Sequence, residues 1–240
     1  MNSTIKTHKL ILFFIGLILF LANSCELFNS LPISDFTGQE GHLNDIDGND
    51  YKTIGVGSQI WMAENLRTSR LNDNTEIPYI SDSLKWINLS TSGYCWYKND
   101  SSLNIPYGAL YNWNTINSNK VCPIGWHVPS EQDWIDLLNN LGGNQVAGGK
   151  LKMIGQDYWN SPNSGATNTS NFNAVASGGN FHGEFLDFQK WCHLWSTTMN
   201  DKMIVITVEL FYKSESALIG PGGINYAGLS VRCIKDKEIN

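Results

Sequence analysis

An uninterrupted apolar run from Leu10 to Ala22, preceded by Lys6 and Lys9 and closed by Asn23-Ser24-Cys25, restricts everything downstream of it. Basic residues, then a greasy segment, then small residues form a secretory leader. The run falls short of the about 20 apolar residues that a membrane-spanning helix needs. Residues 1–24 therefore read as a signal peptide that is removed, and whatever follows must fold outside the cytoplasm.

Leu21-Ala22-Asn23-Ser24-Cys25 resembles a bacterial lipobox, with Asn23 departing from the usual small or apolar residue two places before the cysteine. The competing reading is an ordinary secretory signal followed by an incidental cysteine. Lipidated, Cys25 would become the mature N-terminus, and each buried acyl methylene would contribute about 0.8 kcal/mol to holding it in a bilayer. The expected location is the cell envelope, as an outer membrane lipoprotein anchored to the membrane through its lipid, on a face the sequence leaves open.

Loss of Lys6 and Lys9 with the leader takes the formal charge from −6 to −8. That balance argues against nucleic acid as a partner. Charged residues make up 16% of the chain, below the about 25% of an average globular protein, while 22 glycines and 9 tryptophans stand out. Turns, amides and indoles dominate, and the length beyond the leader suits one domain.

Past Cys25 come Cys95, Cys122, Cys192 and Cys233. Four cysteines in an oxidising compartment allow three pairings. A Cys122–Cys233 bridge is favoured because closing a loop of about 100 residues restricts the unfolded chain by roughly 4 to 5 kcal/mol. Cys95 and Cys192 either pair or stay reduced and buried. None belongs to a CxxC pair, which disfavours zinc.

Residues 25–41 hold Pro32 and scattered polar groups without a period, and read as a tether. Asp45-Ile46-Asp47-Gly48-Asn49 lacks the further acidic ligands and terminal Glu of a calcium-binding EF-hand, so it reads as a turn. Tyr51–Ile54 and Gln59–Met62 flank a glycine-rich turn and predict a hairpin. Ser130 and Asp133 have capping-box spacing, and Trp134, Leu137, Leu138 and Leu141 mark one helical face ending at Gly142-Gly143. Residues 148–179, rich in Gly, Asn, Ser and Thr, read as a long ordered loop. Strand character returns at 195–198, 203–208 and 229–234. Helix segregated from antiparallel strands gives an α+β fold class.

Several segments together resemble the Fibrobacter succinogenes major paralogous domain family. They are Asp45–Asn49, Trp61-Met62-Ala63-Glu64-Asn65-Leu66, Tyr107-Gly108-Ala109-Leu110-Tyr111-Asn112-Trp113, Cys122-Pro123-Ile124-Gly125-Trp126-His127-Val128-Pro129-Ser130, Gly148-Gly149-Lys150-Leu151-Lys152 and Ser230-Val231-Arg232-Cys233. The resemblance implies one domain over 42–237 with a C-type-lectin-like fold: antiparallel sheets, about two helices and long ordered loops. It implies no reaction and no catalytic residues. Lys190-Trp191-Cys192-His193-Leu194 departs from the family pattern, and the sugar-binding calcium motifs of true lectins are missing.

No serine lies in Gly-x-Ser-x-Gly, and there is no GxGxxG or P-loop lysine. His182, Glu184, Asp187 and His193 are the best metal-like cluster, yet their spacing fits no defined site; neither a metal nor a cofactor is expected. Flat aromatic faces remain, among them Trp113, Trp195 and Tyr226. Trp159, Trp191 and neighbouring Tyr158 are the favoured ligand contacts, because they sit in polar, loop-like surroundings. The leading expectation is thus a lipid-anchored envelope binding module, not an enzyme, engaging a polysaccharide or protein through loops around 155–193. A formylglycine-generating-type oxidoreductase centred on Cys192 or Cys233, and a purely structural envelope spacer, are the rivals.

Overall fold

The computed structural model describes residues 34–200, 204–223 and 226–237. The expected leader, the expected lipidation at Cys25 and the expected tether up to residue 33 lie outside the described residues. The unit Asp35–Asn240 is α+β, built on three antiparallel sheets.

The first sheet runs in the order β1 (Glu40–Asn44), β2 (Asp50–Val56), β3 (Gln59–Met62), β13 (Ile234–Lys235) and β6 (Trp126–His127). Its β2–β3 hairpin turns at Gly57-Ser58, where the glycine-rich segment places it, with Val56 opposite Gln59. The tether reading needs correction at its end. The Phe36 N–H donates to Gly57 O at 2.7 Å, and Glu40 pairs with Ile54, so 36–41 are part of the domain. A Cβ on Gly55 would lie 1.8 Å from Phe36 O, so only glycine lets this segment cross the hairpin. Asp45 closes its turn by accepting from Tyr51 Oη at 2.6 Å and from the Asp47 and Asn49 N–H groups. Asp47 accepts from the Ser69 N–H and hydroxyl. Both carboxylates thus serve internal donors, as the turn reading requires.

A second sheet has the order β4 (Tyr94–Cys95), β5 (Leu110–Asn112), β12 (Ala227–Leu229), β7 (Gly179–Phe181) and β8 (Glu184–Leu186). The third joins β11 (Ala217–Gly223), β10 (Val205–Phe211) and β9 (Trp191–Met199). Short helices α1 (Ser83–Ile87) and α2 (Trp113–Asn117) are each capped by the preceding Asp82 or Asn112. The longer pair is α3 (Glu131–Asn140) and α4 (Asn144–Leu151).

Helix α3 begins as its local chemistry dictates. The Ser130 side chain accepts from the Asp133 N–H while Asp133 accepts from the Ser130 N–H. Trp134, Leu137 and Leu138 then enter a core with Ile54, Trp61, Leu194 and Val208. The Trp61 and Trp134 ring centroids are 4.6 Å apart. Among the described residues no helix is long and apolar enough to cross a membrane.

Helix α4 extends into the stretch expected to be loop, taking in Gly148 and Gly149. A Cβ on Gly148 would lie 2.3 Å from Ser216 O, and one on Gly149 2.2 Å from Gly165 O. Glycine is kept here for close backbone approach, which outweighs its poor helix propensity.

The remainder, 152–178, is loop as expected, and two buried side-chain cations organise it. Lys152 donates from Nζ to Ser164 O at 2.8 Å, Phe211 O at 3.1 Å and Ser214 O at 2.7 Å. Arg232 donates from Nη2 to Asn173 O at 2.8 Å and from Nε to Asn65 Oδ1 at 2.8 Å, also contacts Phe172 O through Nη1, and covers the Phe172 ring. Asn163, Asn168, Asn171 and Asn173 all take the left-handed backbone region, which accounts for the asparagine-rich composition.

Cys122 and Cys233 are bonded, while Cys95 and Cys192 are free and buried. The possible Cys95–Cys192 pairing is corrected accordingly. Cys95 packs with Trp86 and Tyr97, and Cys192 packs in the separate α3 core.

Candidate functional site

Alternation along the third sheet sorts its side chains. Cys192, Leu194, Val208, Leu210 and Ala217 face the core. Trp191, His193, Glu209, Phe211 and Leu218 belong to the other face, with Phe211 opposite Trp191, Glu209 opposite His193 and Leu218 opposite Glu209.

Trp191 is half-buried, stacked on Phe211 at 4.3 Å between centroids and on His193 at 5.7 Å. Phe211 is half-buried and meets Tyr212 edge-on. Beside them a depression of about 160 Å³ is lined by Thr207, Glu209, Leu218, Gly220 and Pro221. The arrangement offers flat apolar rings next to carboxylate acceptors on one face of a paired sheet.

His193 is the polar centre of this face. Its Nδ1 lies 3.3 Å from Glu209 Oε1 and its Nε2 3.5 Å from Asp187 Oδ2. Burial disfavours charge on the ring, but the facing Asp187 and Glu209 carboxylates outweigh it and raise its pKa. The expected cluster therefore divides. Asp187 and His193 meet, joined by Glu209, whereas His182 stands in the β7–β8 turn against the Tyr226 ring, and Glu184 is exposed. Glu209 was missed because its nearness to His193 comes from strand pairing, which sequence spacing does not carry. Asp187 and Glu209 face opposite nitrogens of one imidazole, so they do not converge on a common point. Among the described residues no three His, Cys, Asp or Glu groups are placed to hold a metal ion.

The other favoured contacts fare differently. Trp159 is fully buried, donating from Nε1 to Ala174 O at 2.8 Å with Lys152 over its ring, and this corrects its assignment as a ligand contact. Its polar sequence surroundings are folded around it and satisfy its one donor. Tyr158 is half-buried, edge-on to Tyr107 and packed on the α3 core. Trp195 is buried, Trp113 is half-buried against it, and Tyr226 is exposed.

The loop contributes to a second, more polar surface. Asn171 and Asn173 border a cleft of about 370 Å³ with Glu40, His42 and Lys52 of the β1–β2 hairpin. This cleft has no aromatic lining, and its His42 is already paired with Asp50 at 2.9 Å.

Neither cysteine proposed for redox chemistry is accessible. Cys233 is in the disulfide, and burial pushes the Cys192 thiol up to about 12. The nucleophilic form of a cysteine is the thiolate, so Cys192 is held inert.

No curated protein and no solved structure matches the chain. The model of the Fibrobacter succinogenes major domain matches residues 54–235, from within β2 to the end of β13, and the chain belongs to that family.

Proposed function

We propose that this protein is a lipid-anchored binding module of the cell envelope, without a reaction of its own, that engages a polysaccharide through the outer face of the β9–β11 sheet. The observation that carries the reading is the half-buried Trp191–Phe211 stack with the partly exposed carboxylate of Glu209 beside it. A pyranose has a C–H-rich face that packs on an aromatic ring and a hydroxyl rim that donates to carboxylates. The leader ending at Cys25 supports envelope export, and a long-range disulfide suits an oxidising compartment.

Leu218, 51% exposed on the edge strand β11 beside the same depression, favours a protein ligand as the second reading. A polysaccharide array probed with the wild type and with a Trp191→Ala/Phe211→Ala double variant tests the proposal. Binding by the wild type and at least about tenfold loss in the folded variant is expected. Absence of any glycan signal, or undiminished signal in the variant, would remove the polysaccharide reading. Crosslinking at Leu218 in native envelopes would then decide for or against a protein.

A further inference from the structure

His193 is 7% exposed beneath the Trp191 face, and its Nε2 has no aligned hydrogen bond although Asp187 Oδ2 is 3.5 Å away. A neutral imidazole carries one N–H and can serve one carboxylate; the imidazolium carries two and serves both. The neutral ring therefore leaves either Asp187 or Glu209 facing a lone pair in a largely desolvated place.

Asp187 also builds the turn that leads into β9. Its carbonyl accepts the Lys190 N–H at 2.9 Å and the Trp191 N–H at 3.0 Å. Asp187 has φ 66° and Gln189 φ 57°, both in the left-handed region that non-glycine residues enter under strain. Such a turn persists only when its surroundings hold it: the Gln189 N–H donates to Ala176 O at 2.9 Å and the Tyr212 N–H to Lys190 O at 3.0 Å, while the Asp187 side chain faces His193 on β9.

We propose that Asp187, His193 and Glu209 form a proton-operated clamp that regulates the ligand face: the imidazolium fastens the Asp187 end of the 187–190 turn to β9 beside Trp191, and loss of one proton loosens it. The functional consequence rests on the reading of Trp191 as a ligand contact; the clamp itself does not. The groups packed around the ring are Asp187 from the turn, Glu209 from β10, Phe181 from β7 and Trp191 from β9. Lys190 adds positive charge near Asp187. Burial opposes the ring's charge but the two carboxylates prevail, so its pKa lies above the ordinary 6.5, while the facing His193 ring lowers that of Asp187. A raised histidine pKa gives stability that is complete below the unfolded value and disappears as pH rises through the folded value.

The test is hydrogen exchange of 187–191 in the full chain between about pH 5 and about pH 9, corrected for intrinsic exchange, beside an NMR titration of the His193 ring. Protection should fall at least about tenfold with the midpoint of His193, and that midpoint should lie above 6.5. Glu209→Gln and Asp187→Asn, which keep shape and volume, should each lower the midpoint, while His193→Gln should leave the turn at its reduced, high-pH protection at every pH. Protection that stays flat over the range, or a His193 midpoint at or below 6.5, overturns the clamp. The polysaccharide array, read at about pH 5.5 and about pH 8.5, separates the two ideas. A titrating clamp with no glycan bound at either pH supports the clamp and refutes only the polysaccharide reading. Equal glycan binding at both refutes the clamp's control of it.

Discussion

Removing the disulfide by a Cys122→Ala/Cys233→Ala double substitution should cost about 5 kcal/mol. The bond links residues 111 apart in sequence. Opening so long a loop restores about 16 cal/mol/K of entropy to the unfolded chain, or about 5 kcal/mol at 25 °C. Alanine is the right replacement, because both positions are buried in the cluster of Tyr51, Met62 and Val231, where a serine hydroxyl would add a desolvation cost of its own. Lost sulfur packing acts in the same direction as the entropy. With a urea slope of about 2.5 kcal/mol per molar, the midpoint should fall by about 2 M. Equilibrium urea unfolding of a chain lacking the leader and Cys25 measures this, and thiol counting in denaturant without reductant should find only Cys95 and Cys192 reactive. A loss below about 1 kcal/mol would refute the loop argument. Four reactive thiols in the unreduced protein would refute the bond itself.

Trp159→Ala should cost about 3 to 5 kcal/mol in stability, because it empties a fully buried site and removes one of the two donors to the Ala174 carbonyl, leaving the Met153 N–H. A variant of near wild-type stability in urea would restore Trp159 as a surface residue. His127 links the N-terminus of α3 to the C-terminal strand, with Nδ1 2.6 Å from Asp236 Oδ1 and Nε2 3.5 Å from Asp133 Oδ2. Hydrogen bonding to Asp133 and then to Asp236 raises its pKa against the opposing effect of burial. Its contribution is thus complete below the unfolded 6.5 and lost as pH rises through the folded value; at 43% side-chain exposure, screening keeps it under about 1 kcal/mol. The stability gap between wild type and His127→Gln should therefore narrow as pH rises, and a gap independent of pH would sink the assignment.

Much of the fold was legible because it is locally written. The Ser130–Asp133 box and the Trp134-Leu137-Leu138 face each lie within a few turns of one helix, and the 50–62 hairpin closes over two residues. Helix α4 was illegible for the opposite reason. Its two glycines read as loop until the chain near Ser216 and Gly165 is seen passing over them. The candidate site was half legible: Trp191, singled out as a ligand contact for its loop-like surroundings, is half-buried at the start of strand β9, and Trp159, singled out on the same ground, is enclosed by the loop. Flanking polarity distinguishes the two poorly, since asparagines in left-handed turns and a buried lysine both build a polar-looking sequence around a buried indole.

By itself the sequence determined the turn at Asp45–Asn49, the capped helix and the strand character of the late segments, since each depends on neighbours a few residues away. Only the tertiary structure decided which tryptophans stay accessible, which cysteines meet, and that His193 stands between Asp187 and Glu209. Those outcomes depend on strand register and loop closure between distant segments. A shift of one residue in the pairing of β9 with β10 would exchange Glu209 for a core side chain and leave the histidine without its second carboxylate.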